Sequence, residues 1–286
     1  MSDALNETID DTGYQRPRDP VEIWLARQWQ RILGFSVGIR ENFFGVGGNS
    51  LDAARVIDAI LAEFGGQLPL NVLTEDPTVE RLATLLRGHA ERLSGPVVAI
   101  QDGDGTRPPL FLVHPGNGQV GPYCRLAYAL GEEFAVFGLQ AAGLYSDAEP
   151  RRTVPAMADA YVDAIRAERP TGPYLLGGCG IGAAIAYEMA VRLDDVLLLA
   201  AIDAELLEPP DPITPRNLEA DFVARSLRVW QANQDAVRDW RPSPYTGPIH
   251  AFGLPSITAL PATVVQLTHE CGPDGRLADA LRELIG

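Results

Sequence analysis

Ser50 lies in the run Phe43–Leu51, FFGVGGNSL, where a Gly-Gly-Asn turn precedes a stretch of apolar residues at helical spacing. A serine so placed opens a helix, where unpaired backbone N–H groups and the helix dipole favour a phosphate. Ser and Asn are also ordinary capping residues, so the run by itself supports either a modified serine or a cap. A second run, Tyr174–Ala190, reads YLLGGCGIGAAIAYEMA: strand, tight glycine turn, helix. Small residues at such a turn let the chain reverse sharply and hold a nucleophile above the end of a strand. Cys179 is the candidate thiol in that turn. Its alternative is a small buried cysteine.

Helices must position Ser50. Residues 19–34 predict a first one, with Asp19 as cap, Pro20 in the first turn, Gly34 as stop and an apolar stripe through Val21, Leu25 and Trp29. Leu51, Ala54, Val56, Ile57, Ile60 and Leu61 give a second helix, ending at Gly65 and Gly66. A short third segment (LPLNVLTEDP) and a fourth helix (TVERLATLLRG) complete an expected four-helix bundle over residues 18–93, preceded by a solvated leader at 1–17. Residues 94–108, SGPVVAIQDGDGTRP, have the Gly, Pro and Asp density of a linker. In residues 109–286 short apolar runs alternate with helix-like stretches: PLFLVH, AVFGLQ, YLLGG, VLLLAAID, GPIHAFG and ATVVQLT. Alternation of this kind implies a mostly parallel sheet with helices on both faces. Between Pro212 and Trp240 no strand is predicted, and Leu218, Phe222, Leu227 and Trp230 have amphipathic spacing. That segment is either a mobile helical lid or an ordinary packing helix.

Composition narrows the function. The 286 residues are 46% hydrophobic, enough for one large or two modest domains, and no run reaches the length of a membrane helix. The polar, acidic N-terminal stretch has no signal-peptide pattern, so a cytoplasmic protein is expected. A formal charge of −15 disfavours nucleic acid and anionic lipid as partners. Cys124, Cys179 and Cys271 are too few and too scattered for a disulfide framework or a metal site.

The FFGVGGNSL run with its flanking helices resembles the attachment motif of acyl and peptidyl carrier proteins. In that family the serine bears 4′-phosphopantetheine, whose thiol holds the substrate as a thioester, so the resemblance assigns Ser50. The Tyr174–Ala190 run resembles the nucleophile elbow of α/β-hydrolase thioesterases from nonribosomal peptide and polyketide assembly lines, in which a Tyr-Glu-Met-Ala helix commonly follows. Aligned on Tyr187–Ala190, the elbow is Gly178-Cys179-Gly180-Ile181-Gly182, and the nucleophile position is Gly180, without a side chain. A frame shifted by one residue would make Cys179 the nucleophile but place Ile181 where the turn wants glycine.

The same resemblance implies Asp203, at the end of VLLLAAID, as triad acid and His269, after ATVVQLT, as base, with Gly116 and Ile181 N–H groups as oxyanion donors. His250 competes as base but sits inside a strand. The chain departs from the family in lacking the serine, in a short Asp203–His269 interval, and in the Glu-Cys-Gly-Pro after His269. The implied function is the last carrier–thioesterase module of a nonribosomal peptide synthetase, fed by upstream modules and armed by a phosphopantetheinyl transferase. It would release a peptidyl thioester by hydrolysis or cyclisation. With Gly180, a non-catalytic domain that holds the tethered acyl chain, direct water activation by His269 and Asp203, and Cys179-dependent release are the alternatives.

Overall fold

The computed structural model describes residues 14–64, 73, 76–87, 95–202, 220–252, 266–269 and 276–285. The chain divides after Ser94 into two compact units. In the first, α1 (Pro20–Leu33), α2 (Ser50–Phe64) and α3 (Val79–Leu86) surround a core of Leu25, Trp29, Phe43, Val56, Ile60 and Leu82. Asp19 caps α1 by accepting from the Val21 and Glu22 amides, and left-handed Gly34 ends it, as the sequence predicts. Of the expected third segment only Leu73, Asp76 and Pro77 lie among the described residues, so three helices are described where four were expected.

The leader boundary needs correcting. Residues 1–13 lie outside the described residues, but from Tyr14 onward the chain packs against the first unit. The Ile39 amide donates to the Gln15 carbonyl at 2.8 Å, and Arg16 is buried. A polar composition suggested solvation, whereas backbone pairing with the 38–39 loop holds these residues in place.

The second unit is a seven-stranded sheet in the order β1-β3-β2-β4-β5-β6-β7. The strands are β1 (Val97–Asp102), β2 (Leu110–Val113), β3 (Ala135–Leu139), β4 (Tyr174–Cys179), β5 (Val196–Ile202), β6 (Ile249–Phe252) and β7 (Gln266–His269). All pairings are parallel except that of edge strand β1, which runs antiparallel to β3. Helices α4 (Tyr123–Leu130), α5 (Val154–Glu168), α6 (Ile181–Arg192), α7 (Ala220–Asp239) and α8 (Arg276–Ile285) accompany it. α5 packs beside α6, and α4 beside α8. No helix among the described residues is long and apolar enough to cross a membrane.

β1 corrects the expected 94–108 linker. Val98 and Ile100 are buried in alternation, and the Gln101 side chain donates to the Gly131 and Phe134 carbonyls. The flanking glycines, proline and aspartates hid a short period-2 strand. α7 fills the strand-free interval, but its buried face is Val229, Ala232, Asn233 and Ala236, with buried Trp240 just after its end. Leu227 and Trp230, expected on the apolar stripe, are exposed by 63% and 48%, and Leu218 lies outside the described residues.

Candidate attachment serine and candidate active site

Phe43 is fully buried edge-on against Trp29, which pins the loop before α2 into the first core. Asn49, not Ser50, caps α2: its side-chain oxygen accepts from the Leu51 and Asp52 amides at 2.9 and 3.1 Å. Ser50 is the first helical residue, exposed, with its hydroxyl released from capping. An exposed hydroxyl at a helix start suits a phosphodiester to phosphopantetheine, since the adjacent N–H groups and dipole favour the phosphate charge.

In the second unit the sheet register levels the carboxyl ends of four strands. Cys179 pairs with Ile202, Ile202 with Phe252, and Phe252 with His269. Ligands of parallel sheets bind beyond this edge. β4 ends at Cys179 and α6 starts at Ile181, leaving Gly180 as the turn, at φ 59° and ψ −117°. A Cβ on Gly180 would meet no atom of the described residues within 4 Å. Cys179 is 2% exposed within the strand, and Ile181 is helical, which disfavours the shifted frame. Gly182 is required by close approach: a Cβ there would lie 2.4 Å from the Val113 carbonyl oxygen. The sharp turn therefore presses α6 onto the end of β2 and leaves the Ile181 amide at the first turn of the helix.

After β2 comes the loop His114-Pro115-Gly116-Asn117-Gly118. His114 Nδ1 lies 2.8 Å from the Pro115 carbonyl oxygen, which also accepts from the Gly118 amide at 2.9 Å. That carbonyl and the Gly116 N–H belong to one planar trans peptide and point opposite ways. Two donors on the oxygen thus fix the direction of the Gly116 N–H. From α7, buried Asn233 donates to the Gly116 carbonyl at 3.0 Å, holding the following peptide. Burial lowers His114 to a pKa of about 4, so it is neutral at physiological pH.

The structure brings Gly116, Gly180 and Ile181 to one end of the sheet. Asp203 follows β5 directly but lies outside the described residues. His269 ends β7 at the same level as Cys179 by register, and its side chain is likewise outside them. His250 is buried within β6, as a structural histidine would be. Cys124 and Cys179 are buried and form no disulfide among the described residues, and Cys271 lies outside them. Sequence reasoning missed Tyr123, Asn233 and Glu188. Asn233 had a signal: a lone polar residue at helical spacing between Val229, Ala236 and Trp240. Tyr123, which links β2 to the elbow, had none.

Comparison with known proteins agrees with both units. Residues 24–86 match the phosphopantetheine attachment site family, and residues 108–205 match the thioesterase domain family. The chain is a carrier–thioesterase didomain of the nonribosomal peptide synthetase type. It is 38% identical over 211 residues to malpibaldin synthetase of Mortierella alpina, a match that takes in 71% of this chain and 4% of that protein. The chain thus spans a small fraction of the length of such relatives. A four-domain nonribosomal peptide synthetase crystallised with AMP and glycine matches 99% of this didomain and 27% of that chain, with a TM-score of 0.76 and 24% identity. The NocB thioesterase domain, in covalent complex with a fluorophosphonate nocardicin G analogue, covers 66% of it at a TM-score of 0.52 and 23% identity; 99% of that chain is matched. These likenesses show the shared fold.

Proposed function

We propose that the didomain acts at the end of a peptide assembly line, with Ser50 as the phosphopantetheine site and the second domain receiving the tethered peptidyl thioester. The bound group supplies a thiol that carries the acyl chain; Ser50 supplies the attachment oxygen. Upstream synthetase modules and a phosphopantetheinyl transferase are the partners this reading requires. The observation that carries it is the pairing of an exposed, uncapping Ser50 with an elbow opening at the carboxyl edge of the second sheet.

In the release reaction the Gly116 and Ile181 amides would stabilise the thioester oxyanion, His269 would move the proton and Asp203 would orient it. The missing side chain at Gly180 favours a second reading for the chain as written. No acyl-enzyme forms at that position. The domain then holds the acyl chain, or lets His269 direct water at it. Cys179 is disfavoured as nucleophile by its burial in β4.

The test is to treat the chain with a phosphopantetheinyl transferase and an acyl coenzyme A, then follow the loaded mass over time. Ser50→Ala should abolish loading; a mass gain persisting in that variant would overturn the assignment. Decay of the thioester that vanishes in His269→Ala indicates water activation, whereas indefinite persistence indicates a holding domain.

A further inference from the structure

The loop His114-Pro115-Gly116-Asn117-Gly118 is tied at both ends to β3 and the segment after it. The His114 amide donates to the Leu139 carbonyl at 2.9 Å, and the Gly118 carbonyl accepts from the Ala141 amide at 3.0 Å. The tip is held differently. The Gly116 carbonyl accepts from Asn233 Nδ2 at 3.0 Å, a bond to a helix 117 residues further along the chain. Glycine has little conformational preference of its own, so the peptide after Gly116 takes the orientation that this partner imposes.

Asn233 belongs to one stripe of α7. Arg225, Val229 and Asn233 follow at intervals of four, which puts them on the same helix face. Arg225 Nε donates to the Leu144 carbonyl at 3.2 Å, and buried Val229 clusters with Ala141 and Leu144. Val229 also crowds the loop itself: a Cβ on Gly118 would lie 2.6 Å from its Cγ1. The stripe therefore grips the segment after β3 and the loop after β2 together. Asn233 is 2% exposed, and a buried amide is costly unless hydrogen-bonded. Gly116 supplies that bond, so α7 seats favourably only with the loop tip in place.

We propose that Asn233 is a positioning residue for thioester release: the seating of α7 on the loop sets where the Gly116 N–H stands. The side chain acts through Gly116 and moves no proton. An oxyanion develops only on the way to the transition state, so a displaced donor lowers kcat and leaves KM unchanged. Complete loss of such a donor costs about 10²–10³ in kcat, and one still present but loosely held should cost about tenfold. What Gly116 does rests on the release-domain reading; the grip of α7 on the loop does not.

The test has two arms. In the full chain carrying Gly180→Ser, hydrolysis of a soluble acyl-cysteamine thioester is measured with and without Asn233→Ala. A fall in kcat of about tenfold at constant KM is expected. Asn233→Leu, of similar shape but without a donor, should reproduce it, which separates the lost hydrogen bond from lost packing. In the original chain, the amide resonances of Gly116 and Asn117 should shift and gain fast motion in both variants, while those of Gly118 and Ile181 stay put. An unchanged kcat, a rise in KM alone, or an unaltered loop tip would overturn the proposal. An inert Gly180→Ser chain would count against the release-domain reading, and the two loop resonances would then decide the coupling to α7.

Discussion

The Tyr123 hydroxyl accepts from the Cys179 amide at 3.1 Å and donates to the Val113 carbonyl at 2.6 Å, joining the end of β2 to the residue before the elbow. Both backbone groups are buried, and both are satisfied by one side chain on α4. Tyr123→Phe leaves them unpaired at a cost of about 1–3 kcal/mol. The thermal midpoint of the second unit should fall by roughly 2–10 °C on calorimetry. An unchanged midpoint would mean that another group or water replaces the hydroxyl.

Gly180→Ser tests the elbow directly. The added Cβ meets no atom of the described residues, but a serine at φ 59° is strained, so stability should fall by about 1–3 kcal/mol. Acyl release from the loaded chain should rise by orders of magnitude, because loss of a triad serine costs about a million-fold in a well-studied hydrolase. Adding His269→Ala should cancel the gain. Cys179→Ala in the original chain should change release little. If Gly180→Ser stays inert while Cys179→Ala removes an existing activity, the nucleophile is the cysteine.

The sequence was most legible where one period or one turn residue decides the outcome. The five strands from β2 to β6 appear as apolar runs because a parallel sheet covered on both faces buries both sides of each strand. Asp19, Pro20 and Gly34 bounded α1 because caps and stops act locally. Legibility failed where a tertiary partner decides. β1 forms because β3 offers an edge; its own composition says linker. Asn49 takes the cap that Ser50 could have taken, a choice of one residue that propensity does not resolve. The α7 stripe was misassigned because exposed Leu227 and Trp230 look apolar in sequence while buried Asn233 looks polar. Its value lies in the Gly116 carbonyl, far away in the chain.

Glu188 should tie acid stability to α6. Fully buried on α6, it accepts from Trp240 Nε1 at 3.0 Å, from the Ser243 amide at 2.9 Å, and from Arg192. Burial pushes its carboxyl up, but the hydrogen bonds from Arg192, Ser243 and Trp240 outweigh this and hold it below the usual range. A depressed carboxyl stabilises the fold above its unfolded pKa, about 4.3, and loses that contribution as pH falls through the folded value. Glu188→Gln should therefore destabilise the second unit near neutrality and narrow its difference from the parent below about pH 4. Denaturant midpoints measured across pH would show this, and a constant gap would refute it.

His114 acts in a higher window. Its folded pKa of about 4 lies below an unfolded value of about 6.5, so between them the unfolded chain binds a proton that the folded chain refuses. Stability from this residue is complete above about pH 6.5 and is lost as pH falls toward 4, by roughly 3 kcal/mol at 1.36 kcal/mol per pH unit. His114→Asn retains a side-chain N–H in nearly the position of Nδ1, able to donate to Pro115, and removes the titration. Its stability should be flatter between pH 6.5 and 4 than that of the parent, while the Glu188 contribution below this range persists. Equal slopes in parent and variant would assign the proton uptake to another of the four histidines and leave His114 without a titrating role.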